Sequence, residues 1–429
     1  MKALLIRGGR VIDPASGLDE PRDMLLRDGK IAAIEKPGKI KAPDAEVFKA
    51  KGLVVAPGLI DIHVHLREPG QGYKETIVTG AAAAAAGGFT TVCAMPNTVP
   101  VNDSPEITRW IQAPERGASI RVLPIAAATR QSMGEALTDY SALKEAGAVA
   151  VTDDGKPILG DAIMLEALRA ATALGLPVIQ HAEDTRLTGG GSMNAGALAF
   201  RLGLRGMTVE AESSLVERDI ALLRQVGGAH LHVAHLSTKK ALDAVRAARK
   251  QGLHVTCEVT PHHFALTEER IGLYDTQAKM NPPLRAENDR AAMIEGILDG
   301  TVDAIATDHA PHATHEKEQE FERAPNGITG LETALGLAVQ VLHVRHKMPL
   351  ARVLALLSSR PAKALGLKGR GNLAVGLTAD VVVFDPAEKW VFRAAESRSK
   401  SKNTPFDGWE LQGRVRLTVS EGRIAHRKG

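Results

Sequence analysis

Residues 59–67 read Leu-Ile-Asp-Ile-His-Val-His-Leu-Arg, an apolar run that ends in two histidines and an arginine. A short apolar run of this kind is typical of a buried β-strand. Working outward from it, seven further short apolar runs follow. Stretches rich in Ala, Leu and Glu with helical periodicity separate them. Eight strand–helix units over roughly 300 residues are the count and size of a (β/α)8 barrel, a TIM-like α/β fold.

The predicted elements of this middle region alternate regularly along the chain. The strands are expected at residues 59–66, 90–95, 120–126, 148–152, 177–180, 230–234, 254–259 and 304–306, and helices at 161–174, 215–225, 239–251 and 289–298. The alanines at 81–86 also predict a helix, packed closely on the barrel. A doubly wound sheet is the competing α/β architecture, but no G-x-G-x-x-G or Walker loop follows the first strand.

Both ends of the chain differ from the middle. They consist of short β-like pieces separated by turn sequences such as Asp13-Pro-Ala-Ser-Gly17. Because chain termini often meet, we predict one small, sandwich-like β domain built from residues 1–56 and 366–429. Residues 57–365 then form the barrel domain. The basic run at 398–403 predicts a solvated connection rather than a nucleic-acid site, because no aromatic residues interrupt it.

Composition narrows the class of protein further. Of 429 residues, 44% are hydrophobic and 24% charged, which excludes disordered, collagen-like and coiled-coil architectures. Lys and Arg (53) barely exceed Asp and Glu (50), so no strong field attracts nucleic acid or an anionic membrane. The two cysteines, Cys93 and Cys257, exclude a disulfide framework. With no membrane-spanning run or signal peptide evident, we expect a cytoplasmic protein that binds neither nucleic acid nor membrane.

Polar side chains follow seven of the eight predicted strands. The carboxyl ends of barrel strands share one face, where barrel enzymes have their active sites. His63 and His65 are two residues apart on a strand, so their side chains point to the same side. Together with His181, His235 and Asp308 at the ends of other strands, they predict a zinc site.

A bound zinc ion lowers the pKa of its water molecule from 15.7 to roughly 7 and polarises a substrate carbonyl. The expected reaction is therefore a hydrolysis by metal-bound hydroxide. Asp308 is a suitable group to take the proton and return it to the leaving nitrogen. Asp153 and Asp154 compete for the role of a bridging ligand, and periodicity does not choose between them.

Several longer motifs extend these positions. They are Asp61-Ile-His-Val-His-Leu-Arg-Glu-Pro69, Ala94-Met-Pro-Asn-Thr98, Glu258-Val-Thr-Pro-His-His263, Asn281-Pro-Pro-Leu-Arg285, Ala306-Thr-Asp-His-Ala-Pro-His312 with Lys317, and Ser401-Lys-Asn-Thr-Pro-Phe406. In these motifs the sequence resembles the dihydroorotases of the amidohydrolase superfamily, over nearly the whole chain. The resemblance implies one metal site formed by His63, His65 and Asp308, and a second formed by His181 and His235.

The fourth strand departs from many relatives, in which a carboxylated lysine bridges two metals. Here it reads Val151-Thr-Asp-Asp-Gly-Lys156, which resembles the bacterial class that bridges with aspartate. The family's spacing favours Asp154 over Asp153, and Lys156 is not taken as the bridge. One or two Zn²⁺ ions per subunit are expected.

The substrate that the resemblance implies, dihydroorotate, is an anionic cyclic imide and needs a carboxylate clamp. Arg67 offers a bidentate guanidinium fork, the alternative being an ion pair with Glu68 or Glu75. The resemblance assigns substrate binding to His65, Arg67, Asn97, Asn281, His312, Asn326 and Gly327. His262 and His263 are expected to support ligands or to pack in the barrel.

The resemblance implies reversible hydrolysis of (S)-dihydroorotate to N-carbamoyl-L-aspartate, in pyrimidine biosynthesis. Metal-bound hydroxide would attack the ring amide carbonyl, and Asp308 would shuttle the proton. The alternatives are a hydantoinase, dihydropyrimidinase or allantoinase, and a non-catalytic paralogue that scaffolds aspartate transcarbamoylase. The predicted partners are the small-molecule substrate and a second subunit in a homodimer. A complex with aspartate transcarbamoylase is compatible with the sequence.

Overall fold

The computed structural model describes residues 3–428. Its strands are β1 (Leu4–Asp13), β2 (Leu18–Arg27), β3 (Lys30–Glu35), β4 (Glu46–Lys49), β5 (Val54–Pro57), β6 (Leu59–Val64), β7 (Phe89–Ala94), β8 (Arg121–Pro124), β9 (Ala126–Ala127), β10 (Val151–Thr152), β11 (Val178–Gln180), β12 (Met193–Asn194), β13 (Gly206–Met207), β14 (Leu231–Val233), β15 (Val255–Val259), β16 (Ala304–Ile305), β17 (Val381–Val391), β18 (Glu410–Ser420) and β19 (Arg423–Arg427).

The helices alternate with the middle strands. They are α1 (Ile77–Ala86), α2 (Pro105–Gln112), α3 (Tyr140–Glu145), α4 (Asp161–Leu174), α5 (Thr185–Thr188), α6 (Ala197–Leu202), α7 (Glu210–Leu223), α8 (Lys239–Lys250), α9 (Pro261–Ala265), α10 (Glu287–Asp299), α11 (Thr314–Lys317), α12 (Ala334–Ala338), α13 (Leu350–Leu356) and α14 (Ser359–Ala364). A π-helical stretch, Val339–Arg345, continues α12.

The middle of the chain forms a closed parallel barrel. One run of paired strands is β6–β7–β8, and the other is β9–β10–β11–β14–β15–β16. The segments β8 and β9 are two halves of one strand, because the N–H of Ile125 between them still donates to the β7 residue Ala94. A parallel bridge between Val64 and His309 joins the last strand to the first. The predicted (β/α)8 barrel is confirmed, with all eight strands at the expected places.

Local sequence explains the helices that surround the barrel. In α1 the Thr76 hydroxyl accepts from the N–H of Thr79 and starts the helix with a capping box. The alanines that follow are mostly buried, and their small side chains let the helix approach the strands closely. The helix predicted at 161–174 coincides with α4, which ends where Gly175 adopts a left-handed conformation with φ of 65°.

The two ends of the chain meet in one eight-stranded sheet. Seven of its strands follow the order β19-β18-β17-β5-β1-β2-β3, and the eighth, β4, pairs with β1. Antiparallel pairing of β5 with β17 joins the N-terminal strands to the C-terminal ones. Alternate residues of these strands, such as Leu4 and Ile6 on β1 and Val381 and Val383 on β17, form its apolar core. The predicted composite β domain is present, and its limits at residues 56 and 366 stay predictions.

The basic run at 398–403 differs from expectation. Ser399, Ser401 and Asn403 are buried, whereas Arg398 and the two intervening lysines are exposed. The prediction of a solvated connection is wrong because this run packs against loops at the carboxyl face of the barrel instead of crossing solvent.

Among residues 3–428, no helix is both long and apolar enough to cross a membrane. The prediction that the chain has no signal peptide concerns its start, where residues 1 and 2 lie outside the described part.

Candidate active site

All six side chains predicted as metal ligands lie together where the barrel strands end. They are His63, His65, Asp154, His181, His235 and Asp308, and each is buried. Their donor atoms form three overlapping groups, within each of which the atoms lie within 4.8 Å of one another. One carboxylate, Asp154, and two imidazoles, His63 and His235, each belong to two of the groups. The barrel has therefore brought residues from five strand ends into one cluster.

Asp154 lies at the centre of this cluster. Its Oδ1 is 3.3 Å from His63 Nε2, 3.7 Å from His181 Nδ1 and 3.8 Å from His235 Nε2. Its other oxygen, Oδ2, is 3.6 Å from His65 Nε2. A carboxylate reached by imidazoles from both sides is suited to bridge two cations.

The neighbouring aspartate points elsewhere. The carboxylate of Asp153 accepts hydrogen bonds from the backbone N–H (2.9 Å) and the hydroxyl of Thr129, away from the histidines. Of the two candidates that periodicity left open, Asp154 is the one in the cluster. Lys156 is exposed.

The donor set fits a divalent cation, because three buried atoms of its residues have no hydrogen-bond partner within residues 3–428. These atoms are His63 Nε2, Asp154 Oδ1 and His235 Nδ1. A buried polar atom without a partner is costly, and a bound cation would remove that cost. Imidazole and carboxylate ligands in such number suit the transition metals.

Three histidines are oriented as a metal ligand needs. His63 Nδ1 donates to Glu258 Oε1 at 2.6 Å, and His65 Nδ1 donates to Asn97 Oδ1 at 2.8 Å. His181 Nε2 lies 3.0 Å from a carboxylate oxygen of Glu183. Because one ring nitrogen of each histidine bonds an oxygen, the other ring nitrogen faces the cluster and would give its lone pair to a bound cation.

The electrostatics keep the acidic groups of the cluster ionised. Burial opposes ionisation of Asp308, but the neighbouring His63 and His65 hold the pKa of that carboxyl below its usual range. The pKa of Asp154 is depressed too, since the charge of His63 again outweighs burial. Ionised carboxylates in a buried pocket favour a cation at its centre.

The backbone is strained at three positions of the site. Arg67, His235 and Asp308 have φ values of 63°, 29° and 46°, in the left-handed region that non-glycine residues rarely adopt. The rest of the barrel must hold these conformations, which cost of order 1–3 kcal/mol each. They turn side chains at the strand ends inward over the cluster.

A cavity of about 190 Å³ opens above the metal donors. Apart from Gly327, the predicted substrate-binding residues all line it: His65, Arg67, Asn97, Asn281, His312 and Asn326. Gly327 lies just behind, where a Cβ would come within 2.6 Å of the His312 ring. Asn97 supports His65, and Asn281 donates to Glu183 at 2.8 Å, so both are already tied to metal-supporting groups.

Arg67 is buried beside this cavity. Its Nε donates to the carbonyl of Pro311 at 3.1 Å, and one terminal nitrogen lies 3.4 Å from His312 Nε2. Within residues 3–428 it has no ion pair, so the alternative pairing with Glu68 or Glu75 is wrong. Burial lowers the pKa of the guanidinium to about 10, which leaves it charged at neutral pH.

Sequence reasoning missed the carboxylates that support the cluster. Glu258 bonds His63 and His232, and it accepts from the backbone N–H of His235 at 3.3 Å. Its pKa falls to about 2, because the charge of His63 outweighs the effect of burial. An acidic residue inside the apolar strand β15 was the available signal. His263, one of the two histidines expected to support ligands, bonds Thr260 and the Pro282 carbonyl.

We expect Glu258→Gln to weaken metal binding by about 10- to 100-fold, because the amide is a poorer acceptor for the His63 proton. Metal affinity is measured by competition with a chromogenic chelator. Asp303→Asn is the matched control, since Asp303, directly before β16, pairs with Arg249 and Arg360 rather than with a histidine. Equal affinity in Glu258→Gln and wild type would contradict this role.

The barrel and its cluster of histidines and aspartates, which suits a divalent metal, define the class, a hydrolase of the amidohydrolase superfamily. A family model described as Dihydro-orotase-like matches residues 52–241. The chain is 50% identical to a dihydroorotase of Anaeromyxobacter sp. (strain K), over 99% of this chain and 98% of that one. It is 48% identical to a dihydroorotase of Solibacter usitatus, over 98% and 97%. The chain belongs to the dihydroorotase family and is an enzyme, a cyclic amide hydrolase.

Solved structures show the same fold at lower identity. An L-hydantoinase (dihydropyrimidinase) from Arthrobacter aurescens superposes with a TM-score of 0.87 at 23% identity, covering 100% of this chain and 97% of that one. At this identity the likeness supports the barrel and the β domain alone.

Proposed function

We propose that this enzyme catalyses the reversible hydrolysis of (S)-dihydroorotate to N-carbamoyl-L-aspartate. The observation that carries the proposal is Arg67, a buried guanidinium that has no ion pair within residues 3–428 and lies on the same cavity as five of the six metal donors. A buried cation without a carboxylate partner is costly unless a ligand supplies one. The ring carboxylate of dihydroorotate would complete the pair, and the similarity to dihydroorotases agrees with that substrate.

Different cavity residues would bind different parts of the substrate. Arg67 and His312 would bind the carboxylate, which a guanidinium receives in a bidentate manner. Asn97 and Asn281 would hydrogen-bond the ring, and the backbone at 326–327 would contact its edge. His65 lies between the metal donors and the substrate, and would orient the scissile amide. The ring amide carbonyl would then lie over the metal donors.

The residues that would hold the metal are His63, His65, Asp154, His181, His235 and Asp308. When bound, a zinc ion supplies a Lewis acid and lowers the pKa of a water molecule to about 7. Asp308 lines the cavity and would accept the proton released in the attack, then return it to the leaving ring nitrogen. Its depressed pKa keeps the carboxyl ionised at neutral pH, as a proton acceptor must be.

We propose zinc as the metal, since imidazole and carboxylate donors of this kind are its ligands in catalytic sites. The six donors and the central place of Asp154 support two adjacent ions that share that carboxylate. The proposal therefore includes two metals per subunit at full loading.

Hydantoinase or dihydropyrimidinase activity is the less favoured alternative. Those substrates carry no ring carboxylate, so Arg67 would lack a partner. A non-catalytic scaffold is also disfavoured, because every predicted metal donor is present and in place.

The experiment that tests the proposal uses the purified protein with dihydroorotate, and with hydantoin and allantoin as comparison substrates. We expect turnover of dihydroorotate alone, lost on treatment with a chelator and restored by zinc. Metal content is determined on the same samples. Full metal loading without dihydroorotate turnover would overturn the proposal.

We expect Arg67→Met to raise the KM for dihydroorotate about 10²-fold or more. Losing one partner of a buried charge pair costs about 2–5 kcal/mol, and each 1.4 kcal/mol is about tenfold. Steady-state kinetics measure the effect, with metal content as the check that the cluster is intact. Arg67→Lys keeps the charge but loses the fork, so a smaller rise is expected. An unchanged KM in Arg67→Met would exclude the clamp.

Family membership also leads us to propose a cytoplasmic homodimer that is compatible with aspartate transcarbamoylase binding. Light scattering coupled to size-exclusion chromatography, with and without the transcarbamoylase, measures both assemblies.

A further inference from the structure

Residues 399–404, which we call the connector, belong to the link between β17 and β18 but lie on the carboxyl face of the barrel. The Ser401 hydroxyl donates to the Lys74 carbonyl at 2.6 Å, and the Ser399 hydroxyl donates to the Glu75 carboxylate. The C-terminal part of the chain therefore reaches the loops that surround the candidate active site.

Asn403 is the member of the connector nearest to the substrate cavity. Its Nδ2 donates to the carbonyls of Ala310 at 3.0 Å and Gly327 at 2.9 Å. Its Oδ1 accepts from the backbone N–H of His312 at 2.9 Å, and its own carbonyl accepts from the N–H of Thr329 at 2.8 Å. One buried amide thus bonds both loops that carry predicted substrate-binding groups.

The two loops touch each other where Asn403 bonds them. His312 Nε2 lies 2.9 Å from the Asn326 carbonyl oxygen, with which it bonds. A Cβ on Gly327 would lie 2.4 Å from the Ala310 carbonyl oxygen, so no larger residue fits. Because the packing is this close, a shift of either loop displaces the other.

Only one of the backbone groups that Asn403 bonds through its side chain has a second hydrogen-bond partner within residues 3–428. Lys317 Nζ also donates to the Gly327 carbonyl, at 3.2 Å. Within residues 3–428, however, the hydrogen bonds of the His312 N–H and of the Ala310 carbonyl are made to Asn403. Without it, both groups would lose their partner at a buried position.

We propose that Asn403 is a positioning residue that holds residues 310–312 and 326–327 in the arrangement that binds the substrate carboxylate and ring. The inference rests on the proposed function. In the described part of the chain, Asn403 makes no hydrogen bond to a metal donor, so it acts on substrate binding rather than on metal binding. A misplacement of about 1 Å in a binding group can cost about 10²-fold.

The test uses Asn403→Asp in the metal-loaded full chain. The variant keeps the size and the acceptor for the His312 N–H, but it places a carboxylate oxygen against the carbonyls of Ala310 and Gly327. We expect the KM for dihydroorotate and the Ki of orotate, which has the same carboxylate, to rise together by about tenfold or more. We expect kcat to change less than KM and the metal content to stay equal to wild type.

Asn194→Ala is the matched control for loss of a buried amide. Asn194 donates to Glu268 at 2.7 Å and accepts from Arg285 at 3.0 Å, outside the substrate cavity. It should lower the Tm without changing KM. Asn403→Ser, which adds no charge, is measured as well in case the aspartate prevents folding.

The outcomes separate this inference from the proposed function. If wild type hydrolyses dihydroorotate but the Asn403 variants keep its KM and only lose Tm like the control, the inference fails and the function stands. A metal-loaded wild type without turnover overturns both.

Discussion

We expect Asp308→Asn to lower kcat for dihydroorotate hydrolysis by about 10³-fold, within the range for loss of a general acid–base group. The amide cannot accept the proton released in the attack or return it to the leaving nitrogen. Asp308 lines the substrate cavity and lies 2.9 Å from His65 Nε2, so it is placed between the metal donors and the substrate. The measurement is single-turnover and steady-state hydrolysis.

The equilibrium constant of a reversible reaction does not depend on the enzyme. The kcat/KM of Asp308→Asn for ring closure of N-carbamoyl-L-aspartate should therefore fall by the same factor as for hydrolysis. Metal content is determined in parallel, because Asp308 is also a predicted ligand and turnover is compared per bound metal. Near-normal turnover per metal would show that another group moves the proton.

The adjacent aspartates Asp153 and Asp154 should behave in opposite ways. We expect Asp154→Asn to lose bound metal and more than about 10³-fold of turnover, since the Lewis acid supplies several kcal/mol. The reason is its central position, with three imidazoles within 3.8 Å of one carboxylate oxygen. Elemental analysis after dialysis, together with the hydrolysis assay, measures both losses.

Asp153→Asn is the matched control, one residue away and equally buried. The Asp153 carboxylate accepts a hydrogen bond from Thr129, so we expect the variant to have a lower Tm than wild type. Its metal content and turnover should stay unchanged. If Asp153→Asn lost the metal while Asp154→Asn retained it, the assignment of the central carboxylate would be reversed.

Much of the site could be predicted because its signals are local in sequence. His63 and His65 stand two apart on one strand, and the other donors directly follow strands. A parallel barrel brings every strand's carboxyl end to the same face. Residues that directly follow strands therefore lie close together in the fold. Arg67 could be predicted for the same reason, although its burial could not.

The supporting groups could not be predicted from such signals. Glu258 and Glu183 resemble ordinary acidic residues until the fold places them against His63 and His181. Asn403 lies 91 residues from His312, and its run of lysines and serines is typical of an exposed link. Contacts between distant segments depend on side-chain directions and packing, which a linear pattern does not encode.

The sequence by itself determined the barrel, the composite β domain and which histidines, with Asp308, form the cluster at the strand ends, because hydrophobic periodicity and strand ends are properties of short segments. Periodicity left Asp153 and Asp154 open and the family's spacing favoured Asp154, but only the tertiary structure shows Asp154 in the cluster and which nitrogen each histidine presents. It also decided that the connector supports the substrate loops. These choices follow from the direction of individual side chains in a closely packed interior, where a displacement of one residue exchanges a ligand for a structural hydrogen bond.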